Sequence, residues 1–98
     1  MTVTVHLPGV LRAHAGGAAD IRVEDAGDDE GRTTVRSLLD HLGREHPALV
    51  RRIVDERGQL RRFVNVYVGD VDVRDRDGLA TPIPEGSTVL VLPSVAGG

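Results

Sequence analysis

Stretches in which apolar and polar residues alternate lie in both halves of the chain, and residues with helical spacing lie between them. In the first stretch the apolar members are Val3, Val5 and Leu7, and residues 19–24 alternate in the same way. A period of two is typical of a half-buried strand, so these stretches predict a hairpin with a long connection. A chain that begins with such a hairpin and then changes its period must combine a sheet with helices.

The period changes in the middle of the chain, where two helical segments are predicted. Thr33 or Thr34 can cap the first helix, which we expect to end near Gly43. Pro47 can open a second, shorter segment that stops at Gly58. The apolar residues of the first segment share one helical face, and those of the second follow a similar spacing: Val35, Leu38, Leu39 and Leu42, then Leu49, Val50, Ile53 and Val54.

The period of two returns at Arg62. A strand with Val64, Val66 and Val68 on one face is followed by a short partner strand that contains Val71 and Val73. Residues 88–92 form an apolar run without a break, as expected of a central strand covered on both faces. This order predicts an α+β, ubiquitin-like β-grasp fold: a mixed sheet of four to five strands, one main helix and a short second helical segment. Residues 1–93 would form the domain and residues 94–98 a flexible tail.

One face of the predicted sheet is either exposed or covered by other segments of the chain. If the main helix covers one face alone, Phe63, Tyr67 and Leu92 are left partly exposed on the other, and an exposed apolar patch usually marks a docking surface for a partner. Alternatively, residues 8–18 or 47–58 cover that face. The sequence favours neither arrangement.

Composition excludes several functions. The chain has no cysteine, so thiolate metal sites and a cysteine nucleophile are absent, and its basic residues are all arginine. The net charge of −3 and the two aromatic residues argue against nucleic-acid binding. We expect no metal site, because the acidic residues 25–31 lack the spacing of a calcium loop and the histidines lack metal-ligand spacing. No stretch resembles a signal peptide or a membrane span, which predicts a cytoplasmic protein without membrane contact.

Charge is distributed unevenly along the chain. Residues 44–62 contain six arginines and three acidic residues, although the whole chain is acidic. An acidic protein partner or a simply solvated helix would account for this segment.

The last residues are small and end in Gly97-Gly98. Because glycine has no Cβ, such a tail can pass through a narrow channel and leave its terminal carbonyl open to attack. An extended segment from Pro93 to Gly98 spans up to ~20 Å, enough to reach the active site of another protein. After a β-grasp order and an apolar final strand, this ending indicates a tail that enters the active site of another protein.

The residues Phe63-Val64-Asn65-Val66-Tyr67-Val68, Gly78-Leu79-Ala80-Thr81 and Leu92-Pro93-Ser94-Val95-Ala96-Gly97-Gly98 resemble the ubiquitin-like sulfur carriers of the MoaD/ThiS type, most of all those of an actinobacterial cysteine pathway. The resemblance implies that an E1-like adenylating enzyme activates the Gly98 carboxylate with ATP and that the product is a terminal thiocarboxylate. Gly97, Ala96 and Val95 would thread into the partner.

The resemblance further implies that a PLP-dependent cysteine synthase uses this sulfur with O-phosphoserine and that a metallopeptidase then releases cysteine. No cofactor would be bound to the chain itself, because ATP and PLP belong to the partners. The chain would be a protein co-substrate and not an enzyme. Two alternatives stay open: the small subunit of molybdopterin synthase, and a protein modifier attached to lysines of its targets.

Overall fold

The computed structural model describes residues 2–93, so the predicted tail at 94–98 lies outside the described residues. Its sheet consists of β1 (Thr2–His6), β2 (Asp20–Glu24), β3 (Val64–Val68), β4 (Val71–Asp72) and β5 (Thr88–Pro93). The helices are α1 (Gly9–Arg12), α2 (Val35–Glu45) and α3 (Pro47–Ile53). Short 3-10 turns cover Ala13–Ala15, Val73–Asp75 and Gly78–Ala80. The β-grasp prediction is confirmed, with five strands and a main helix followed by a shorter one.

The five strands form one mixed sheet in the order β2-β1-β5-β3-β4. β1 pairs antiparallel with β2 and parallel with β5, while β3 pairs antiparallel with both β5 and β4. The last strand therefore lies in the middle of the sheet. Since β1 and β5 are parallel, both end at the same edge, and β3 begins there.

A single apolar core fills the space between one face of the sheet and the helices. Alternate residues of the strands, the inner face of α2 and the buried residues of α3 contribute to it. Residues 8–18 and 47–58 also contribute to this core, through Leu11, Ala15, Leu49 and Ile53. Within residues 2–93 no helix is long and apolar enough to cross a membrane.

The main helix starts where the sequence predicts and ends later. Thr34 caps it: its side-chain oxygen accepts a hydrogen bond from the Ser37 N–H at 3.2 Å, and the Thr34 N–H donates to Ser37 Oγ at 2.9 Å. The prediction that it ends near Gly43 is wrong by two residues. Pro47 sets the end instead, because a residue before proline avoids the helical conformation, and His46 accordingly has φ −130° and ψ 62°.

Four further expectations need correction. Residues 8–18 are not a plain connection, because they contain α1 and a 3-10 turn. Val54 is extended, so α3 stops at Ile53, well before Gly58. Val73 belongs to a 3-10 turn and is fully buried in the core, so β4 is shorter than predicted. β5 is central but covered on one face: Val89 and Val91 are buried, while Leu90 and Leu92 are half-buried.

Candidate functional site

The sheet face that points away from the helices carries a small apolar strip. The strand register places Tyr67 of β3 opposite Leu90 of β5, and Leu92 opposite Asn65, and all four side chains are half-buried. The second of the two predicted arrangements, in which residues 8–18 or 47–58 cover this face, is therefore wrong. These two segments face the core, which leaves the strip accessible.

Leu90 belongs to this strip although the sequence prediction did not include it. It lies between Tyr67 of β3 and His6 of β1. Its position two residues before Leu92 already placed it on the same face of a strand. The strip is thus wider than the predicted pair of Tyr67 and Leu92 on β3 and β5.

Polar residues border the strip on the β1 and β2 side. His6 Nδ1 lies 2.6 Å from Asp20 Oδ1, and the two residues are directly opposite in the hairpin. Both side chains are about half exposed. Sequence spacing could not reveal this pair, because its partners are fourteen residues apart and meet through the hairpin register.

Phe63 lies at the point where β5 ends. It precedes β3 directly and is 49% exposed, and the next residue, Val64, is opposite Pro93. We call this place, defined by Phe63, Val64 and Pro93, the tail root, since residues 94–98 follow it. Val95, Ala96, Gly97 and Gly98, the predicted tail residues, lie outside the part of the chain that the structure describes.

Arg74 fixes the start of β3 at the tail root. Its guanidinium donates hydrogen bonds to the backbone carbonyls of Val64 and Arg61 and to Asn65 Oδ1, the last at 2.9 Å. Hydrogen bonds from a charged donor are stronger than neutral ones, so one side chain holds three acceptors of the segment that precedes and begins β3. No local sequence pattern indicates this role, because Arg74 belongs to a turn in the charged stretch after β4.

A basic groove lies at the same end of the molecule. It is lined by His14, Ala48, Arg51, Arg52 and Arg61 and has a volume of about 510 Å³. The 3-10 turn that carries His14 packs against α3, which carries Arg51 and Arg52. Three arginines of the positive segment at residues 44–62 thus line one local surface.

The acidic loop at residues 25–31 is stabilised by hydrogen bonds and an ion pair that involve Asp28, Glu30 and Arg32. Asp28 Oδ1 accepts hydrogen bonds from the N–H groups of Arg32 and Glu30, each at 2.9 Å, and the Arg32 guanidinium lies 3.0 Å from Glu30. The Arg32 N–H above all, and then the Glu30 N–H and the Arg32 charge, hold the pKa of Asp28 below its ordinary value. Among residues 2–93, no three His, Asp or Glu side chains are grouped as a metal site.

Comparison with known proteins identifies the family. Residues 5–98 match the ThiS family. The sulfur carrier protein CysO of Mycobacterium tuberculosis is 41% identical over 100 residues, which cover 100% of both chains. A chain of the Amycolatopsis orientalis BexX/CysO complex is 40% identical, with a TM-score of 0.82 over 98% of this chain and 99% of that chain. Small archaeal modifier protein 1 of Haloferax volcanii is 28% identical, with a TM-score of 0.76 over 96% of this chain and 98% of that chain.

The fold, the central position of the last strand and these matches agree with one another. This chain belongs to the ThiS family and is a ubiquitin-like sulfur carrier of the CysO type, a protein substrate rather than an enzyme.

Proposed function

We propose that the chain carries sulfur as a thiocarboxylate on Gly98. A carboxylate is a poor electrophile, so an E1-like adenylating enzyme first joins it to AMP, using ATP and releasing pyrophosphate. A sulfur donor then displaces AMP, and the oxygen lost from the carboxylate leaves with it. The thiocarboxylate is ionised and nucleophilic at neutral pH, which supplies reactive sulfur in a chain without cysteine.

The observation that carries this proposal is the 41% identity to CysO over the whole chain. The structure adds physical support at the tail root. β5 is the central strand, and its last residue, Pro93, lies opposite Val64 of β3, so residues 94–98 follow a strand that is paired to its end on one side. A partner can dock on the rigid domain while Gly97, Ala96 and Val95 enter its active site.

The same similarity supports cysteine biosynthesis as the destination of the sulfur. In this proposal a PLP-dependent cysteine synthase joins the sulfur to the carbon skeleton of O-phosphoserine, from which phosphate leaves. The resulting thioester rearranges to an amide, and a metallopeptidase hydrolyses this amide, which releases cysteine and restores Gly98. ATP and PLP are bound by these partners and not by the carrier. All of these steps would take place in the cytoplasm.

We assign docking on the partners to the open sheet face, through Tyr67, Leu92 and the neighbouring Leu90, together with Phe63 at the tail root. Each of these residues has apolar surface that the domain leaves accessible. Burying such surface in a complex is favourable, at roughly 25 cal/mol for each Å² of apolar area.

Intact mass of the protein purified from its own cells, with alkylation to trap a thioacid, tests the proposal. We expect a fraction heavier by one oxygen-to-sulfur exchange at Gly98, and conversion of that fraction to a cysteinyl adduct when the synthase and O-phosphoserine are added. A variant that lacks Gly98 is the matched control. An unchanged terminus in the presence of the E1-like enzyme, ATP and sulfide would refute the carrier chemistry.

A second candidate is a protein modifier, and the match to small archaeal modifier protein 1 favours it. In that case Gly98 would form an isopeptide bond with lysines of target proteins. Peptides that bear a Gly-Gly remnant on lysine, found in cells with the wild-type chain and absent with the Gly98 deletion, would identify this activity.

A further inference from the structure

The basic groove, defined above by His14, Ala48, Arg51, Arg52 and Arg61, lies apart from the open sheet face. The strip on that face belongs to β3 and β5, whereas the groove is formed by α3, the 3-10 turn after α1 and the segment before β3. Docking through the strip therefore leaves the groove without a role.

Charge in the groove is of one sign. Arg51, Arg52 and Arg61 are exposed, and in the part of the chain described here none of their guanidinium groups forms an ion pair with a carboxylate. Arg61 Nε donates to the Arg51 backbone carbonyl at 2.7 Å, which brings these two arginines together at one end of the groove. Three like charges in one groove repel one another, so an anionic occupant would relieve the repulsion.

Asp55, in the turn after α3, is not among the residues that line the groove. Asp55 Oδ1 accepts hydrogen bonds from the N–H groups of Gln59 and Arg57 and thereby holds the turn after α3. These hydrogen bonds, led by that from Gln59, lower the pKa of Asp55, with smaller contributions from the charges of Arg57 and Arg61. Its carboxylate therefore stabilises the turn through these hydrogen bonds.

The groove is also adjacent to the tail root. Arg61 is two residues before Phe63, and its backbone carbonyl accepts hydrogen bonds from the Val64 N–H and from Arg74. A protein that encloses residues 94–98 must surround the tail root, and its surface then comes close to Arg61. Arginine is well suited to this contact because its planar group pairs with carboxylates through two parallel hydrogen bonds.

We propose that the basic groove docks an acidic segment, rich in Asp and Glu, of the protein that takes up the tail. The proposal rests on the carrier function above and adds a second, electrostatic contact beside the apolar one. A protein segment fits better than a nucleic acid, because no Phe, Tyr or Trp on which a base could stack is among the described residues that line the groove. Charge pairs of this kind steer association and select among partners.

A titration of the isolated protein tests the groove without any enzyme. The probe is a capped hexaglutamate peptide, followed through the backbone amide signals of the labelled protein, with a hexathymidine oligonucleotide as the competing probe. We expect the peptide to shift signals at His14, Ala48, Arg51, Arg52 and Arg61 in a saturable manner. Tighter binding of the oligonucleotide, or shifts spread equally over all arginines, would overturn the proposal.

Variants locate the charge. The double variant Arg51→Glu, Arg52→Glu should lose these shifts. If the reversed charges disturb α3, the neutral double variant Arg51→Gln, Arg52→Gln is used instead, and it should weaken the shifts. The control Arg36→Glu, Arg76→Glu makes the same change of net charge at two exposed positions outside the groove and should bind the peptide as the wild type does. An equal loss in the control would mean that net charge alone attracts the peptide.

Adenylation by the E1-like enzyme connects the groove to function. With the Arg51→Glu, Arg52→Glu variant as substrate, we expect the KM for the carrier to rise on the order of tenfold and kcat to stay unchanged, since exposed charges act on association. An unchanged KM would refute the proposed partner contact. If the wild type is not adenylated, the carrier function fails, and the peptide titration still decides whether the groove binds acidic segments.

Discussion

Replacement of Phe63 by alanine separates docking from folding. The side chain is 49% exposed, so about half of its surface already contributes to the fold and the other half is available to a partner. Full burial of a phenylalanine side chain is worth roughly 1.5 to 3 kcal/mol, which gives about 1 kcal/mol for each half. The free energy of unfolding should fall by about that amount, which lowers the Tm of a domain of this size by roughly 4 to 8 °C.

The exposed half of the Phe63 surface should affect the KM for the carrier in the reaction with the partner enzyme. A loss of about 1 kcal/mol of docking energy raises the KM for the carrier by roughly fivefold in adenylation by the E1-like enzyme, measured as exchange between ATP and pyrophosphate. The kcat should change little, because Phe63 belongs to the rigid domain and not to residues 94–98. Both assays are run below the lowered Tm.

Val71→Ala is the matched control. Val71 is 39% exposed, but it follows the turn after β3 and so lies at the end of the sheet opposite the tail root. Its replacement should leave the KM unchanged. A Phe63→Ala variant that folds and is adenylated with the wild-type KM would refute the docking role of the tail root, and an equal rise in KM for Val71→Ala would show that the effect is not local.

Three further predictions concern the tail, the main helix and the acid limit of stability. Deletion of residues 94–98 should leave the Tm unchanged, because the apolar core described above is built from residues 2–93. It should abolish thiocarboxylate formation in the mass assay, and a collapsed melting curve would show that the tail supports the fold. Thr34→Ala should lower the free energy of unfolding in urea by about 1 kcal/mol through loss of the cap, whereas a loss near zero would show that the Ser37 hydroxyl is sufficient alone. Asp55 has a lowered pKa in the folded state, so it contributes stability above the unfolded pKa of ~4 that disappears as the pH falls through the folded value. Asp55→Asn should therefore flatten the loss of stability in this acid range, and an unchanged pH profile would contradict the assignment.

Most of the secondary structure follows from residue periodicity, and the errors have local causes. The four strands with clear alternation or an apolar run lie where their patterns predict, and the main helix and the shorter helix begin where predicted but end at other residues. Helix α1 was missed because four residues are too few to show a helical period. The end of α2 was assigned to Gly43, a helix breaker by propensity, whereas Pro47 determines it through the backbone of His46.

The candidate site could be predicted in part. Alternation puts Tyr67 and Leu92 on the faces of their strands that point away from the core, but it does not determine whether other segments cover them; in the structure both are half-buried. The His6–Asp20 pair and the contacts of Arg74 depend on strand register and on turns, which periodicity does not specify. The groove was visible as a positive segment, but His14 comes from another part of the chain and joins it through tertiary packing.

The proposed function requires one short tail to serve several partners, and the central position of β5 is compatible with this. A strand at the edge of a sheet has one neighbour, whereas β5 has two: β3 pairs with it as far as Pro93 at the tail root, and β1 pairs with it as far as Leu90. Phe63 precedes β3 and lies at the tail root. Val10 of α1, which is 67% exposed, follows β1 on the other side of β5. A partner that encloses the tail can therefore contact either flank, the open sheet face or the basic groove. Since exposed charges mainly change association and buried apolar anchors mainly change affinity, different combinations of these contacts let each partner recognise the same carrier in its own way.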